Sequence, residues 1–228
     1  RSRYNEALSL YKKALRSFSK AEDKDGMVRS LLSIGDTYRM IGDFSDASNA
    51  YGKAILLSKK LGDRLMLADA VTGLGLSKRA LGDWKHALGM FSDAKEIYKQ
   101  EKDKNGTAFI LWSEGGAYRV RGDIKKAVRS FKQAKGIFES LPSEEDRMRG
   151  IGYSFCGLGG VSRVAGMFDE SMEYYTSANK VLSSLKDRFG TAYSHCGIGN
   201  AFRMKGDYVS ALKHLKKAET IYKKIGDI

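Results

Sequence analysis

The 228-residue chain is poor in several things at once: one proline, Pro142, two cysteines, three histidines, and no run of 18 apolar residues. A membrane-spanning helix needs about 20 apolar residues, so none is expected. The opening segment RSRYNEALSL also lacks the apolar centre of a signal peptide. Two cysteines, Cys156 and Cys196, are too few for a disulfide framework, and no CxxC or Cys/His spacing typical of zinc surrounds them. A soluble protein in a reducing, cytoplasmic setting is the expectation, with no metal and no cofactor. One proline beside 25 glycines is an unusual mixture for an ordinary globular fold. It points to repetition.

Charge of one sign is plentiful. Forty Lys and Arg against 27 Asp and Glu give a formal net charge of +13, which would attract acidic proteins, nucleic acid or anionic membrane surfaces.

Laid over itself at an offset of 40 residues, the sequence brings its glycines into columns. One column is Gly35, Gly75, Gly115, Gly159 and Gly199; a second, seven residues on, is Gly42, Gly82, Gly122, Gly166 and Gly206. The single longer step, of 44 residues, comes from four extra residues around Ser140, Leu141, Pro142 and Ser143, which are expected in a loop. Five residues after the second glycine stands a small residue (Ala47, Ala87, Ala127, Ser171, Ala211). A bulky one follows (Tyr51, Phe91, Phe131, Tyr175, Leu215), then alanine (Ala54, Ala94, Ala134, Ala178, Ala218). Steps of four and three place these on one helical face.

Glycine in mid-helix costs about 1 kcal/mol relative to alanine. The first column therefore marks a close helix approach, expected to face the small side chains of Ala47 and Ala54 with the aromatic beside them. The second glycine suits a left-handed helix cap, and the aspartate after it (Asp43, Asp83, Asp123, Asp207) suits the N-cap of the next helix. The fourth repeat reads Gly166-Met167, so its second helix should begin with a poorer cap. Asp23, Asp63, Asp103 and Asp187 mark the turns between repeats. First helices are predicted near 27–41, 66–81, 106–121, 150–165 and 190–205, and second helices near 44–61, 84–101, 124–140, 168–185 and 208–225. A lone second helix carrying Tyr4, Ala7, Tyr11 and Ala14 precedes them, giving eleven helices.

This pattern resembles the tetratricopeptide repeat family along essentially the whole chain. The 40-residue spacing and the acidic turn resemble the form found in Pins/LGN-type adaptors and in bacterial regulatory proteins. The resemblance implies an all-α, α-α superhelix (solenoid) as one domain over 1–228, with a half repeat at 1–25 and repeats at 26–65, 66–105, 106–149, 150–189 and 190–228. The chain reads as a fragment of a longer protein. Its end helices (Tyr4, Leu8, Tyr11, Leu15; Leu212, Leu215, Ile221) should expose apolar surface and could promote end-to-end self-association.

Catalysis is not expected. His86, His195 and His214 form no evident site, because His195 and Cys196, adjacent on a helix, point about 100° apart. The glycine clusters Gly73 and Gly75, Gly157 to Gly160, and Gly197 to Gly199 recur in mid-helix without a preceding strand or the Lys-Ser or Lys-Thr of a phosphate loop. Cys156 and Cys196 hold equivalent places in successive repeats, about 8 to 10 Å apart at helix-packing distance, beyond disulfide reach.

Four residues after the first glycine every repeat carries arginine: Arg39, Arg79, Arg119, Arg163 and Arg203. A cation in the last turn favours the helix dipole by about 0.3 to 1 kcal/mol, but lysine would serve equally and never stands there. The same stripe holds Phe109, Trp112, Tyr153 and Tyr193 in the later repeats. The family resemblance implies that first helices line a concave groove. The expected function is then binding of an acidic, partly apolar peptide, with the arginines pairing to carboxylates and the aromatics as anchors. The family's carboxylate clamp uses Lys and Asn, and only Asn200 matches it at the position after the first glycine. The alternative is RNA binding, with arginines on phosphates and aromatics stacking bases. The lysines of the second helices (Lys12, Lys13, Lys59, Lys60, Lys125, Lys126, Lys216, Lys217) read as a solvated outer face.

Overall fold

The structure is a computed structural model that describes residues 2–226. Among these residues there are eleven α-helices and no strand. They are α1 (Ser2–Lys20), α2 (Lys24–Ile41), α3 (Phe44–Leu61), α4 (Arg64–Ala80), α5 (Trp84–Gln100), α6 (Lys104–Arg121), α7 (Ile124–Glu139), α8 (Glu144–Val164), α9 (Phe168–Ser184), α10 (Arg188–Met204) and α11 (Tyr208–Ile225). They fall into two compact units, Arg1–Gly106 and Thr107–Ile228.

The caps explain the boundaries. Gly42 ends α2 in the left-handed region at φ +90°, where a Cβ would be strained. Asp43 then accepts from the backbone N–H of Asp46, as Asp83 does from His86, Asp123 from Lys126 and Asp207 from Ser210. Met167 caps α9 without any side-chain hydrogen bond, as its apolar side chain requires. Asp23, Asp63 and Asp187 cap the first helices α2, α4 and α10 in the same way, and Asp103 accepts from Gly106 N–H at 2.9 Å.

α8 departs from its predicted start at 150. It begins at Glu144, because Ser143 supplies a cap and Glu144, Glu145 and Asp146 place negative charge on the first-turn dipole. The inserted residues 140–143 are the loop before it.

The first glycine column does not face alanines, as expected from small meeting small; it faces the ring itself. A Cβ on Gly35 would lie 2.7 Å from the Tyr51 ring, and the ring also covers Gly73 of the next first helix. Phe131 is held between Gly115 and Gly157, and Tyr175 between Gly159 and Gly197. Each ring is thus inserted between two consecutive first helices, and the absent side chains make the room. Tyr51, Phe131 and Tyr175 are at most 3% exposed, and burying such a side chain is worth about 1.5–3 kcal/mol. The alanines Ala47, Ala54, Ala127, Ala134 and Ala178 are fully buried, completing the seam between paired helices. In the fourth repeat the small residue is Ser171, whose buried hydroxyl donates to the Gly159 carbonyl at 2.8 Å. In the fifth, Leu215 takes the ring's place against Gly199.

At the two ends the expected apolar exposure is partial. Tyr11 and Leu212 are exposed, while Tyr4, Leu8, Leu15, Leu215 and Ile221 are half-buried.

Candidate functional site

Steps of three and four along a first helix return to one face. In the Thr107–Ile228 unit this gives a stripe on each of three helices: Phe109, Trp112, Gly116 and Arg119 on α6; Tyr153, Cys156, Gly160 and Arg163 on α8; Tyr193, Cys196, Asn200 and Arg203 on α10. The aromatic end and the cationic end of each stripe are separated by Gly116 on α6, by Cys156 and Gly160 on α8, and by Cys196 and Asn200 on α10.

The aromatics divide into two kinds. Phe109 is 39% exposed and Tyr193 36% exposed, so both offer ring surface to a partner. Trp112 is half-buried: its ring stacks on Phe109 at 5.9 Å between centroids, meets Phe131 and Tyr153 edge-on, and its Nε1 donates to the Tyr153 carbonyl at 2.9 Å. It joins α6 to α8 as well as backing the exposed Phe109. Tyr153, also half-buried, donates its hydroxyl to Asp187 at 3.1 Å. Burial and that carboxylate push its phenol far above its ordinary value. Tyr193 stacks on Phe189, a turn away on α10. Period alone does not say which of these rings is seam and which surface, and Phe189, which stacks on Tyr193, lies outside the repeat columns and carries no signal in the sequence.

The arginines differ by repeat. Arg39 pairs with Asp36 at 3.3 Å. Arg119 and Arg163 are half-buried, and neither forms an ion pair among the described residues. Burial, Tyr193 and Cys156 raise the Tyr175 phenol, and both arginines oppose that rise. Arg203 is exposed and donates from Nε to Asn200 Oδ1 at 3.4 Å; Asn200 Nδ2 in turn donates to the Cys196 carbonyl at 2.9 Å. In the Arg1–Gly106 unit the corresponding face is occupied by its own pairs: Arg29 with Asp25, Asp36 with Tyr51 and Arg39, and the Tyr98 hydroxyl with Asp69 at 2.6 Å. Arg79 also lies on this face, at the end of α4.

Cys156 is 1% exposed, and burial raises its thiol well above the usual range. Cys196 is half-buried, and both thiols are free. His195 and His214 approach Nδ1 to Nδ1 at 3.1 Å. Among the described residues no group of three or more His, Cys, Asp or Glu side chains could hold a metal ion, and no helix is long and apolar enough to cross a membrane.

Helix pairs repeated at a fixed interval, joined by Gly-Asp turns and sealed by a ring lodged against glycines, define an α-helical repeat protein. The tetratricopeptide repeat model matches residues 1–60, 66–140 and 151–224, and the chain belongs to that family. No curated protein sequence matches it. Solved structures with the same fold include BtubC (BKLC) from P. vanneervenii, at 15% identity and TM-score 0.70, covering 98% of this chain and 92% of that one. A Rap protein complexed with competence and sporulation factor aligns at 17% identity and TM-score 0.77, over 99% of this chain and 72% of that one. The apo quorum sensor NprR from B. thuringiensis aligns at 12% identity and TM-score 0.70, over 96% and 61%.

Proposed function

We propose that the chain is a protein-interaction module, without catalytic activity of its own, that binds an acidic, partly apolar peptide segment on the first-helix face of the Thr107–Ile228 unit. One observation carries the reading. Arg119 and Arg163 hold half-buried guanidinium groups with no ion-pair partner among the described residues, on the same stripes as the exposed rings of Phe109 and Tyr193. A partly desolvated cation gains most from a carboxylate brought to it, and an exposed ring gains from an apolar side chain. Arg203 and Asn200 extend the polar end of the surface, and Trp112 and Tyr153 hold it rigid from behind. Arg39 and Arg79 would serve the equivalent face of the other unit, where Arg39 already has its carboxylate. The Rap structure of similar fold is a complex with competence and sporulation factor, which agrees with a binding role for this architecture.

The test is the double substitution Arg119→Glu, Arg163→Glu, assayed with a panel of end-capped peptides pairing glutamate with phenylalanine, and with an RNA oligonucleotide of similar length. Binding of the acidic peptides should weaken at least tenfold, about 1.4 kcal/mol, with helical content and melting temperature unchanged. Lost stability with intact binding would make the arginines structural. Tight, steeply salt-dependent binding of the RNA instead would assign the face to nucleic acid, the alternative that the +13 charge and the exposed lysines of the second helices would then serve.

A further inference from the structure

The repeats allow one part of this protein to be read against another. In the first repeat Asp36 Oδ1 accepts from the Tyr51 hydroxyl at 2.7 Å and pairs with Arg39 Nη2 at 3.3 Å. A carboxylate, a phenol and a guanidinium thus meet at one point. In the register of the repeats, the fourth repeat has Tyr175 for Tyr51, Arg163 for Arg39, and Gly160 for Asp36. The phenol and the guanidinium are kept, and the carboxylate is missing. In the fifth repeat Asn200 stands at this position, and its Oδ1 accepts from Arg203. The second and third repeats, with Phe91 and Phe131, have no hydroxyl to offer.

The backbone of Gly160 is lined by a hydroxyl and a guanidinium. It is buried, and a carbon attached to its Cα would lie 3.2 Å from the Tyr175 hydroxyl oxygen and 3.4 Å from Arg119 Nη1. Arg119, from α6, adds a second guanidinium to the set. Burial, the Tyr193 phenol and the Cys156 thiol raise the Tyr175 hydroxyl above its ordinary value, and Arg119 and Arg163 act in the opposite sense. Guanidinium groups are donors only, so two of them beside one phenol oxygen bring more donors and positive charge than that single acceptor can take.

We propose that Arg119 and the Tyr175 hydroxyl, which meet over the backbone of Gly160, together with Arg163 one turn further along α8, form a seat for one carboxylate of a bound partner, in the place that Asp36 fills in the first repeat. The inference rests on the peptide-binding reading above and narrows it to a single anchoring group. Charge-assisted donation from two guanidiniums and one hydroxyl is the strong form of carboxylate recognition. The exposed Tyr193 ring lies on the neighbouring first helix, α10, to receive an apolar neighbour of that carboxylate.

Gly160→Asp supplies the test, because it builds the first-repeat arrangement into the fourth and fills the seat from within. The probe is sodium acetate, titrated against the intact chain at constant ionic strength while the Nε–H signals of Arg119 and Arg163 are followed by NMR. The wild type should show saturable shifts at both, and G160D should respond at least tenfold more weakly at unchanged or higher melting temperature. Should G160D not fold, Arg163→Gln must show the same loss. Equal responses in wild type and variant, or none in the wild type, would overturn the seat. Inorganic phosphate binding at these arginines more tightly than acetate would overturn its assignment to a carboxylate. End-capped glutamate peptides and their free-C-terminus counterparts decide whether a side chain or a chain end supplies the group. If acetate binds and no peptide does, the seat stands and the peptide reading falls; if peptides bind wild type and G160D alike, the peptide reading stands and the seat falls.

Discussion

Gly159→Ala tests the packing on which the site depends, because a glycine held open for a ring should resist even one methyl group. The new Cβ would sit 2.8 Å from Tyr175 Cδ2, so the ring must move about 0.6 Å to regain ordinary contact at 3.4 Å. It has nowhere to go, since its other face already covers Gly197 more tightly still. Overpacking of this kind costs about 1–3 kcal/mol, against which alanine gains about 1 kcal/mol of helix propensity. The control is Gly136→Ala on α7, where an added Cβ meets nothing within 4 Å and only the propensity gain applies. Both changes are glycine to alanine inside a helix, so their difference isolates the steric cost at about 1–3 kcal/mol. Urea denaturation followed by circular dichroism reads both, with the slope checked for constancy because repeat proteins can unfold in parts. Gly136→Ala should be more stable than the wild type, and Gly159→Ala less stable than Gly136→Ala by at least 1 kcal/mol. Equal stabilisation by the two would refute the claim that the ring requires the glycine.

Met167→Ser should supply the cap that α9 lacks and form a capping box with Glu170, raising stability by about 0.5–2 kcal/mol; an unchanged melting temperature would show that another group already satisfies that helix end. Burial, His214 and Lys217 hold His195 below its ordinary value of 6.5, and burial, Lys217 and Lys213 do the same to His214. The folded chain therefore binds fewer protons than the unfolded one as pH falls through 6.5, so stability present above that value is lost below it. Melting temperature should drop from pH 7 to pH 5, and less steeply in His195→Gln; parallel profiles would remove the histidine pair as the cause. Thiol labelling of the native protein should modify half-buried Cys196 well before Cys156, whose buried thiol resists ionisation; equal rates would contradict its burial.

The turns were the most legible part of the fold in the sequence, because their chemistry is local. Asp43, Asp83, Asp123 and Asp207 cap where the Gly-Asp pairs indicate, and Met167 leaves its helix without a side-chain bond. The start of α8 at Glu144 is not legible in the sequence, since the 40-residue register gives no warning that an insertion will lengthen the helix after it rather than only the loop. The glycine columns were visible, but what they face was not: whether Gly35 meets Ala47 or the Tyr51 ring depends on how two helices are rotated, which period does not specify. The same holds for the site. Spacing placed Trp112 and Phe109 on one stripe, yet only the packing shows that one ring is braced by the Tyr153 carbonyl and the other left exposed. The difference between Arg39 and Arg163 lay in the sequence as Asp36 against Gly160, and acquired meaning only when Asp36 was seen bonded to Tyr51.

The most direct test of the binding face is site-specific photo-crosslinking with a capped acidic–aromatic peptide that binds the wild type. A benzophenone side chain is placed in turn at Phe109, at Tyr193, and at Lys132, which is exposed on the second helix α7. Crosslinks from positions 109 and 193, lost when Arg119 and Arg163 are changed to glutamate, and none from 132, are what the account predicts. Crosslinks from Lys132 with none from Phe109 or Tyr193 would place the binding surface on the second helices and contradict it.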